Sequence, residues 1–142
     1  MAGEISKVLE VTILEGRNLI EGESLCVTLT SWDISGNQIK PTLTTEGMSH
    51  STGSPIWNAK FILFQEYAIR ENMFPTLKFE VSKKSSFFGS SSTTYGVCEV
   101  GSEEIDVSGA VKEDWFTLKK THKNSSERAA LKIKMCWQLK EG

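Results

Sequence analysis

The chain has few cysteines, few aspartates and no long hydrophobic run. Its 142 residues include three cysteines that are far apart and odd in number, so we predict no disulfide framework. No apolar stretch approaches the roughly 18 residues that a transmembrane helix needs. The N-terminus lacks the basic and then apolar pattern of a signal peptide, and its Met-Ala-Gly start does not fit a myristoylation site. We therefore expect a cytoplasmic protein.

Aspartate is scarce, and basic charge is unevenly distributed. Only three of the 18 acidic residues are aspartates, at positions 33, 106 and 114. Residues 112–142 hold eight of the 16 lysines and arginines but only four acidic residues, so basic charge is concentrated near the C-terminal end. The sequence pI of about 5.7 and the lack of an aromatic ladder beside these bases argue against nucleic-acid binding.

The sequence also lacks the patterns of common catalytic sites. It contains no Gly-x-Ser-x-Gly motif, no phosphate-binding glycine loop and no metal-spaced group of His and Cys, and His50 and His122 have no suitable neighbour. We therefore predict a protein that is not an enzyme and that needs no cofactor or metal. Trp57, Trp115 and Trp137 are interpreted as core or sandwich-edge residues rather than as ligand platforms.

Alternation of apolar and polar residues is the dominant pattern. In 131-LKIKMCWQL-139, Leu131, Ile133 and Trp137 alternate with Lys132 and Lys134, as in a strand with one buried face. Seven other segments have a similar pattern or a strand-forming composition, and they begin near residues 9, 25, 38, 57, 77, 95 and 115. Turn signals such as Ser35-Gly36-Asn37 separate them.

These segments predict an all-β fold, an eight-stranded antiparallel β-sandwich. A length of 142 residues suits one domain with its own core, and no tandem repeat or long linker interrupts the pattern. We expect a single domain over residues 7–140, preceded by a flexible N-terminus at residues 1–6.

Several segments occur in a characteristic order. They are VLEVTILEGRNL from residue 8, TTEGMSHSTGSPIWNAKFIL from residue 44, LKFEVSKK from residue 77, YGVCEV from residue 95 and ALKIKMCWQL from residue 130. Their order resembles the C2 domain family. Pro55, Trp57, Asn58 and Phe61 match the family's Asn-Pro-x-Trp-Asn-x-x-Phe, with Ser54 in place of the first Asn. The resemblance covers nearly the whole chain and implies a C2-like sandwich. Its first and last strands are similar to the phospholipase-like (type II) topology.

The best-known activity of the family is calcium-dependent phospholipid binding through aspartates in two end loops. Here 18-NLIEGES-24 replaces the first of these loops and contains Glu21 and Glu23 but no aspartate. The third loop corresponds to 81-VSKKSSFFGSSSTTYG-96, in which Lys83 and Lys84 bring positive charge to the cation's position. Because calcium needs about six to eight oxygen ligands, we predict that calcium binding has been lost.

The same stretch combines two lysines with two aromatic residues. In lipid-binding family members this loop meets the membrane, so Lys83 and Lys84 would contact anionic headgroups while Phe87 and Phe88 bury just below them. In the alternative, one or both phenylalanines fold back onto the edge of the domain.

A second candidate surface lies near the C-terminus. Lys132 and Lys134 are predicted on the outward face of the last strand, and the turn before it contributes Lys119, Lys120 and Lys123. This basic patch would attract phosphoinositides or an acidic protein surface. In the alternative it is a solvated sheet face whose lysines discourage aggregation.

Two functional hypotheses follow. In the first, the chain is a non-catalytic, calcium-independent C2-like domain that binds anionic phospholipid and is at most peripheral on a membrane. In the second, it is a protein-interaction or scaffold module, of a trafficking, ciliary or cytoskeletal kind, that has lost lipid binding and meets an acidic protein surface.

Overall fold

The computed structural model describes residues 7–20, 24–33, 35–49, 54–63, 76–83, 93–101, 111–121 and 127–139. The predictions for the flexible segment 1–6 and for Lys84, Phe87, Phe88 and Lys123 lie outside these ranges and stay predictions.

Ten strands run through the described residues, and eight of them have six or more residues. The strands are β1 (Lys7–Arg17), β2 (Ser24–Trp32), β3 (Gln38–Thr44), β4 (Met48–Ser49), β5 (Ile56–Leu63), β6 (Thr76–Lys83), β7 (Thr93–Gly101), β8 (Lys112–Thr117), β9 (Lys119–Lys120) and β10 (Ala130–Leu139). Each of the eight longer strands overlaps one of the eight predicted segments, although the bounds differ: β8, for example, ends at Thr117 and begins three residues before Trp115. The described ranges contain no helix, and the predicted all-β fold is confirmed.

Two antiparallel sheets form the sandwich. The four-stranded sheet has the order β5-β1-β10-β8, and the six-stranded sheet has the order β3-β2-β6-β7-β9 with β4 paired to β2. Strands β1 and β10, from opposite ends of the chain, therefore lie side by side in the middle of one sheet.

The core lies between the sheets and consists of the residues that alternate inward. Its fully buried side chains come from both sheets and include Leu9, Val11, Ile13, Leu131, Ile133 and Met135 on one side and Val27, Leu29, Leu77, Phe79 and Val81 on the other. Each such burial stabilises the fold by roughly 1.5–3 kcal/mol before entropy is counted. Burial of every second residue in this way leaves the intervening residues on the outer faces.

The turn between β2 and β3 is the predicted one and uses one of the scarce aspartates. The Asp33 carboxylate accepts hydrogen bonds from the backbone N–H groups of Ser35 and Asn37, each at 2.9 Å. Gly36 has a φ of 85°, which glycine adopts without steric cost. The Asp33 carboxylate therefore stabilises the turn between β2 and β3.

The opposite end of the sandwich is held by one hydrogen bond between the two sheets and one that joins two strand ends within the four-stranded sheet. The indole N–H of Trp57, on β5, donates to the backbone oxygen of Leu25, on β2, at 3.1 Å. Asn58, the next residue, has a φ of 48° where the pairing of β1 with β5 shifts register. The Asn18 side chain, which follows β1, donates to the backbone oxygen of Arg128 at 3.1 Å. These bonds fix the strand ends from which the end loops leave.

Candidate functional site at the loop end of the sandwich

The loop end is the end of the sandwich at which β1 and β6 end and β2, β7 and β10 begin. The antiparallel register places Arg17 opposite Ala130, and Lys83 opposite both Leu25 and Thr93. Four connections therefore leave the sandwich at this end: 18–23, 45–55, 84–92 and 118–129. The first and third of them correspond to the two loops that the sequence comparison with C2 domains equates with calcium loops.

Lys83 ends β6 where these two connections meet their strands. It is half-buried, and its neighbours across the sheet are the second residue of β2 and the first residue of β7. A positively charged side chain at this root disfavours a cation held between the two loops. Within the described residues, no group of three or more His, Cys, Asp or Glu side chains is placed to hold a metal ion.

Lys119 and Lys120 lie near the start of β7, the strand that the 84–92 connection enters. The sequence analysis placed them in a turn, whereas they form β9, which pairs with Val97 and Gly96 of β7 at the edge of the six-stranded sheet. Both side chains are exposed. The Thr121 hydroxyl donates to the backbone oxygen of Thr94 at 2.8 Å and so holds this segment against the start of β7. Strand β9 lies two strand spacings, roughly 10 Å, from β6.

Two neighbouring residues explain why β9 forms. Leu118, just before β9, is buried in the core, and its N–H donates to the backbone oxygen of Ala129 at 2.9 Å. A Cβ atom on Gly96 would lie 3.0 Å from the Cβ atom of Leu118, closer than ordinary van der Waals contact. Glycine at position 96 therefore lets Leu118 enter the core and brings the two lysines to the edge of β7.

Lys132 and Lys134 lie elsewhere, on the outer face of the four-stranded sheet. Their ammonium groups share this face with glutamates: Lys132 lies 3.8 Å from the Glu113 carboxylate, and Lys134 is opposite Glu113 in the register of β10 and β8. On the same face, Lys60 and Glu10 form an ion pair of 2.6 Å. Lys83, Lys119 and Lys120 thus belong to the six-stranded sheet, with β7 between Lys83 and the other two, and the structure separates all three from Lys132 and Lys134.

Charges of both signs alternate over this outer face. Pairing across β5, β1, β10 and β8 assigns to it the following described charged residues: Arg17, Lys60, Lys132, Lys134, Glu10, Glu15 and Glu113. Because cations and anions are nearly equal in number, the face has little net charge.

Arg17 and Trp115 form a contact that the sequence analysis missed. The Arg17 guanidinium carbon lies 4.3 Å from the centroid of the Trp115 ring, and the Lys132 ammonium lies 6.0 Å from it, both within the range of cation–π attraction. No local signal in the sequence pairs Trp115 with Arg17. Their strands, β8 and β1, are not neighbours, and each pairs with β10.

The thiols do not form a reactive site. Cys26, Cys98 and Cys136 are all free; the first two are buried and the third is half-buried. Burial, and secondarily the negative charge of Glu99, raises the pKa of Cys98 to about 12. Its thiol therefore stays protonated at neutral pH, in which form it is a poor nucleophile and metal ligand.

Comparisons with known proteins agree on one fold. The sequence profile of the C2 domain matches residues 7–118. The C2A domain of plant extended synaptotagmin 1 superposes with a TM-score of 0.73 at 17% identity, over 99% of this chain and 100% of that chain. Human GIVD cytosolic phospholipase A2 superposes with a TM-score of 0.71 at 16% identity, over 98% of this chain but only 16% of the phospholipase.

A calcium-bound structure of the C2A and C2B domains of extended-synaptotagmin 2 is also similar. It superposes with a TM-score of 0.63 at 16% identity, over 96% of this chain and 44% of that chain. At such identities the likeness concerns the fold alone. No curated protein sequence matches the chain. In the part of the chain that the structure describes, no helix is long and apolar enough to cross a bilayer.

Proposed function

Since the chain belongs to the C2 domain family, whose members bind lipids or proteins, we propose that it is a non-catalytic, calcium-independent membrane-targeting domain. The loop end contacts the anionic surface of a phospholipid membrane. The chain then acts as a peripheral protein on the cytoplasmic side, where anionic lipids are concentrated.

The position of Lys119 and Lys120 beside the root of the 84–92 connection carries this proposal. Both side chains are exposed on β9, next to the start of β7. The connection that enters β7 follows Lys83 and contains three further residues of the predicted membrane contact: Lys84, Phe87 and Phe88. Basic side chains from two strands and two aromatic residues therefore belong to one end of the sandwich.

The expected energies favour reversible attachment. A lysine near an anionic surface contributes about 1 kcal/mol, and burial of a phenylalanine ring contributes roughly 1.5–3 kcal/mol. The lysine part weakens as salt is added, because exposed charges are screened, whereas the ring part does not.

Calcium independence is proposed from the charge at the same end. Lys83 and Lys84 replace the expected acidic residues of the third loop, and the first loop retains only Glu21 and Glu23. Two glutamates supply too few oxygens to replace the hydration shell of calcium.

Co-sedimentation with vesicles of phosphatidylcholine, phosphatidylserine and a phosphoinositide tests the proposal. We expect the native chain to bind equally in calcium and in chelator. The double variant Phe87→Ser, Phe88→Ser should bind about a hundredfold more weakly, since two rings contribute roughly 3 kcal/mol or more. The control is Val111→Ser, which changes an apolar residue that is 56% exposed at the opposite end of the sandwich.

Each part of the proposal has its own contrary result. Binding that needs calcium would contradict calcium independence, and unchanged binding of the double variant would contradict the assignment of the loop. No binding to any vesicle would favour the second hypothesis, a protein-interaction or scaffold module. The outer face of the four-stranded sheet is then the candidate surface, because it presents an arginine stacked on a tryptophan.

A further inference from the structure

The contact between Arg17 and Trp115 is built across three strands. Arg17 ends β1 and lies opposite Ala130 of β10, and Trp115 lies on β8, opposite Lys132. Ala130, between the two side chains, is 1% exposed although it belongs to the outer face. A small residue at this position leaves room for the guanidinium to reach the indole ring, where it lies 4.3 Å from the centroid.

Arg17 retains its hydrogen-bonding capacity. Its side chain is exposed, and among the residues that the structure describes no acceptor or carboxylate is bonded to its guanidinium. A guanidinium carries five N–H donors in its own plane, in a fork that matches a carboxylate. Because stacking on Trp115 already restricts the side chain, a ligand loses less conformational entropy on binding it.

The charges around this pair discriminate between a membrane and a protein. Glu15 lies opposite Lys132 in the register, and Glu113 lies 3.8 Å from the same lysine. A uniformly anionic membrane would be repelled by these two glutamates about as strongly as it is attracted by Arg17 and Lys132. A peptide that carries both signs can match each charge, which is how protein interfaces obtain specificity. Arg and Trp are also the residue types that dominate the binding energy of interfaces.

We propose that the outer face of β1, β10 and β8 binds an extended peptide segment of a partner protein. A glutamate or aspartate of the segment pairs with the Arg17 guanidinium through two hydrogen bonds. The aliphatic part of this acidic side chain packs beside Trp115. A lysine or arginine two residues away, on the same side of the extended segment, meets Glu15 or Glu113. This inference does not rest on membrane binding, since it is argued from the four-stranded sheet and not from Lys119 and Lys120 of the other sheet.

Nuclear magnetic resonance titration with a designed pair of peptides tests this inference. The probe is acetyl-Lys-Ile-Glu-Ile-Lys-amide, and its matched control has Gln in place of Glu. We expect the probe to shift the Arg17 Nε and Trp115 indole signals along a saturable curve, and the control peptide to bind at least tenfold more weakly.

Three variants of the protein complete the test. Arg17→Lys keeps the charge but removes the planar fork, so we expect at least a tenfold loss of affinity for the probe. Lys60→Gln changes a cation of the same face that is already paired with Glu10, and it should leave the affinity within twofold. Thermal unfolding of each variant verifies that the fold is intact, and Trp115→Phe provides a second, milder change at the ring.

The contrary results are distinct from those for membrane binding. Equal affinity for the two peptides, or for Arg17→Lys and the native chain, would overturn the carboxylate site. Shifts of both signals with anionic vesicles but not with the probe would assign the face to a membrane instead. The Phe87→Ser, Phe88→Ser variant should bind the probe as the native chain does, whatever its affinity for vesicles.

Discussion

Two pairs of lysines near the C-terminus differ in what surrounds them. Lys119 and Lys120 are exposed at the edge of the six-stranded sheet, and within the described residues neither forms an ion pair. Lys132 and Lys134 lie on the four-stranded sheet, where Glu113 is the neighbour of both. The first pair has no carboxylate bonded to it among the described residues, whereas the charge of the second pair is largely compensated.

The comparison shows how strand pairing decides the effect of a basic residue. All four lysines fall within a short basic stretch of the sequence, yet their sheets differ because β9 pairs with β7 and β10 pairs with β1 and β8. An uncompensated pair suits a uniformly anionic surface. A compensated pair beside an arginine and a tryptophan suits a partner with charges of both signs.

The first prediction tests whether Lys134 belongs only to the surface, as the comparison requires. Its neighbour Ile133 is fully buried, so Ile133→Ala should lower the free energy of unfolding by about 2–5 kcal/mol. Lys134→Ala, on the same strand but facing out, should change it by less than about 0.5 kcal/mol. Urea denaturation measures both values, and a large loss for Lys134→Ala would remove the basis of the comparison.

The second prediction contrasts the two lysine pairs directly. Lys119→Gln with Lys120→Gln should weaken binding to anionic vesicles about thirtyfold, because each lysine near the surface contributes about 1 kcal/mol. Lys132→Gln with Lys134→Gln should change vesicle binding by no more than about twofold. Co-sedimentation at low salt measures both. An equal loss in the two double variants would mean that the two faces act as one basic surface.

The third prediction concerns the inner face of the sheet to which β9 pairs. Cys98 lies on β7, next to Val97, which pairs with Lys119 of β9. Burial raises the pKa of the Cys98 thiol from 9.0 to about 12. Between pH 9.0 and about pH 12, the thiol loses its proton in the unfolded chain and keeps it in the folded chain. The stabilisation is therefore complete below pH 9 and declines as the pH rises, by about 1.4 kcal/mol per pH unit.

Urea denaturation at pH 8 and pH 10 measures this effect. The native chain should lose about 1 kcal/mol more stability over this interval than Cys98→Ala does. Cys136→Ala, a change on the outer face, should behave as the native chain. If the native chain and Cys98→Ala lose stability in parallel, water reaches the thiol and the inner face of β7 is not sealed.

The central long strands were predictable because each shows its burial in its own sequence. In β10 the alternation of Leu131, Ile133 and Met135 with Lys132 and Lys134 identifies the inner face without reference to any other strand. The turn at Asp33 was predictable for a similar reason, since Ser35-Gly36-Asn37 is a local turn signal. The C2 family was also recognisable, because its motifs are local and occur in order.

Strand β9 and the Arg17–Trp115 contact were not predictable. A strand of two residues has no period, and β9 exists because Leu118 reaches the core beside Gly96. The face on which Arg17 lies is hidden in the sequence by a register shift between Ile13 and Glu15. Trp115, on β8, lies close to Arg17 only because β1 and β8 both pair with β10.

Local alternation and turn residues are enough to specify the central long strands, their buried faces and the sandwich, because the hydrophobic effect acts on each strand through its own side chains. The surface is different, because a charge acts on its neighbours in space, and those neighbours come from strands that are distant in the chain. Register across β1, β10, β8, β7 and β9 is set by packing of the core on the inner faces. Packing of the core therefore decides that Lys119 and Lys120 pair with β7 and that Arg17 stacks on Trp115.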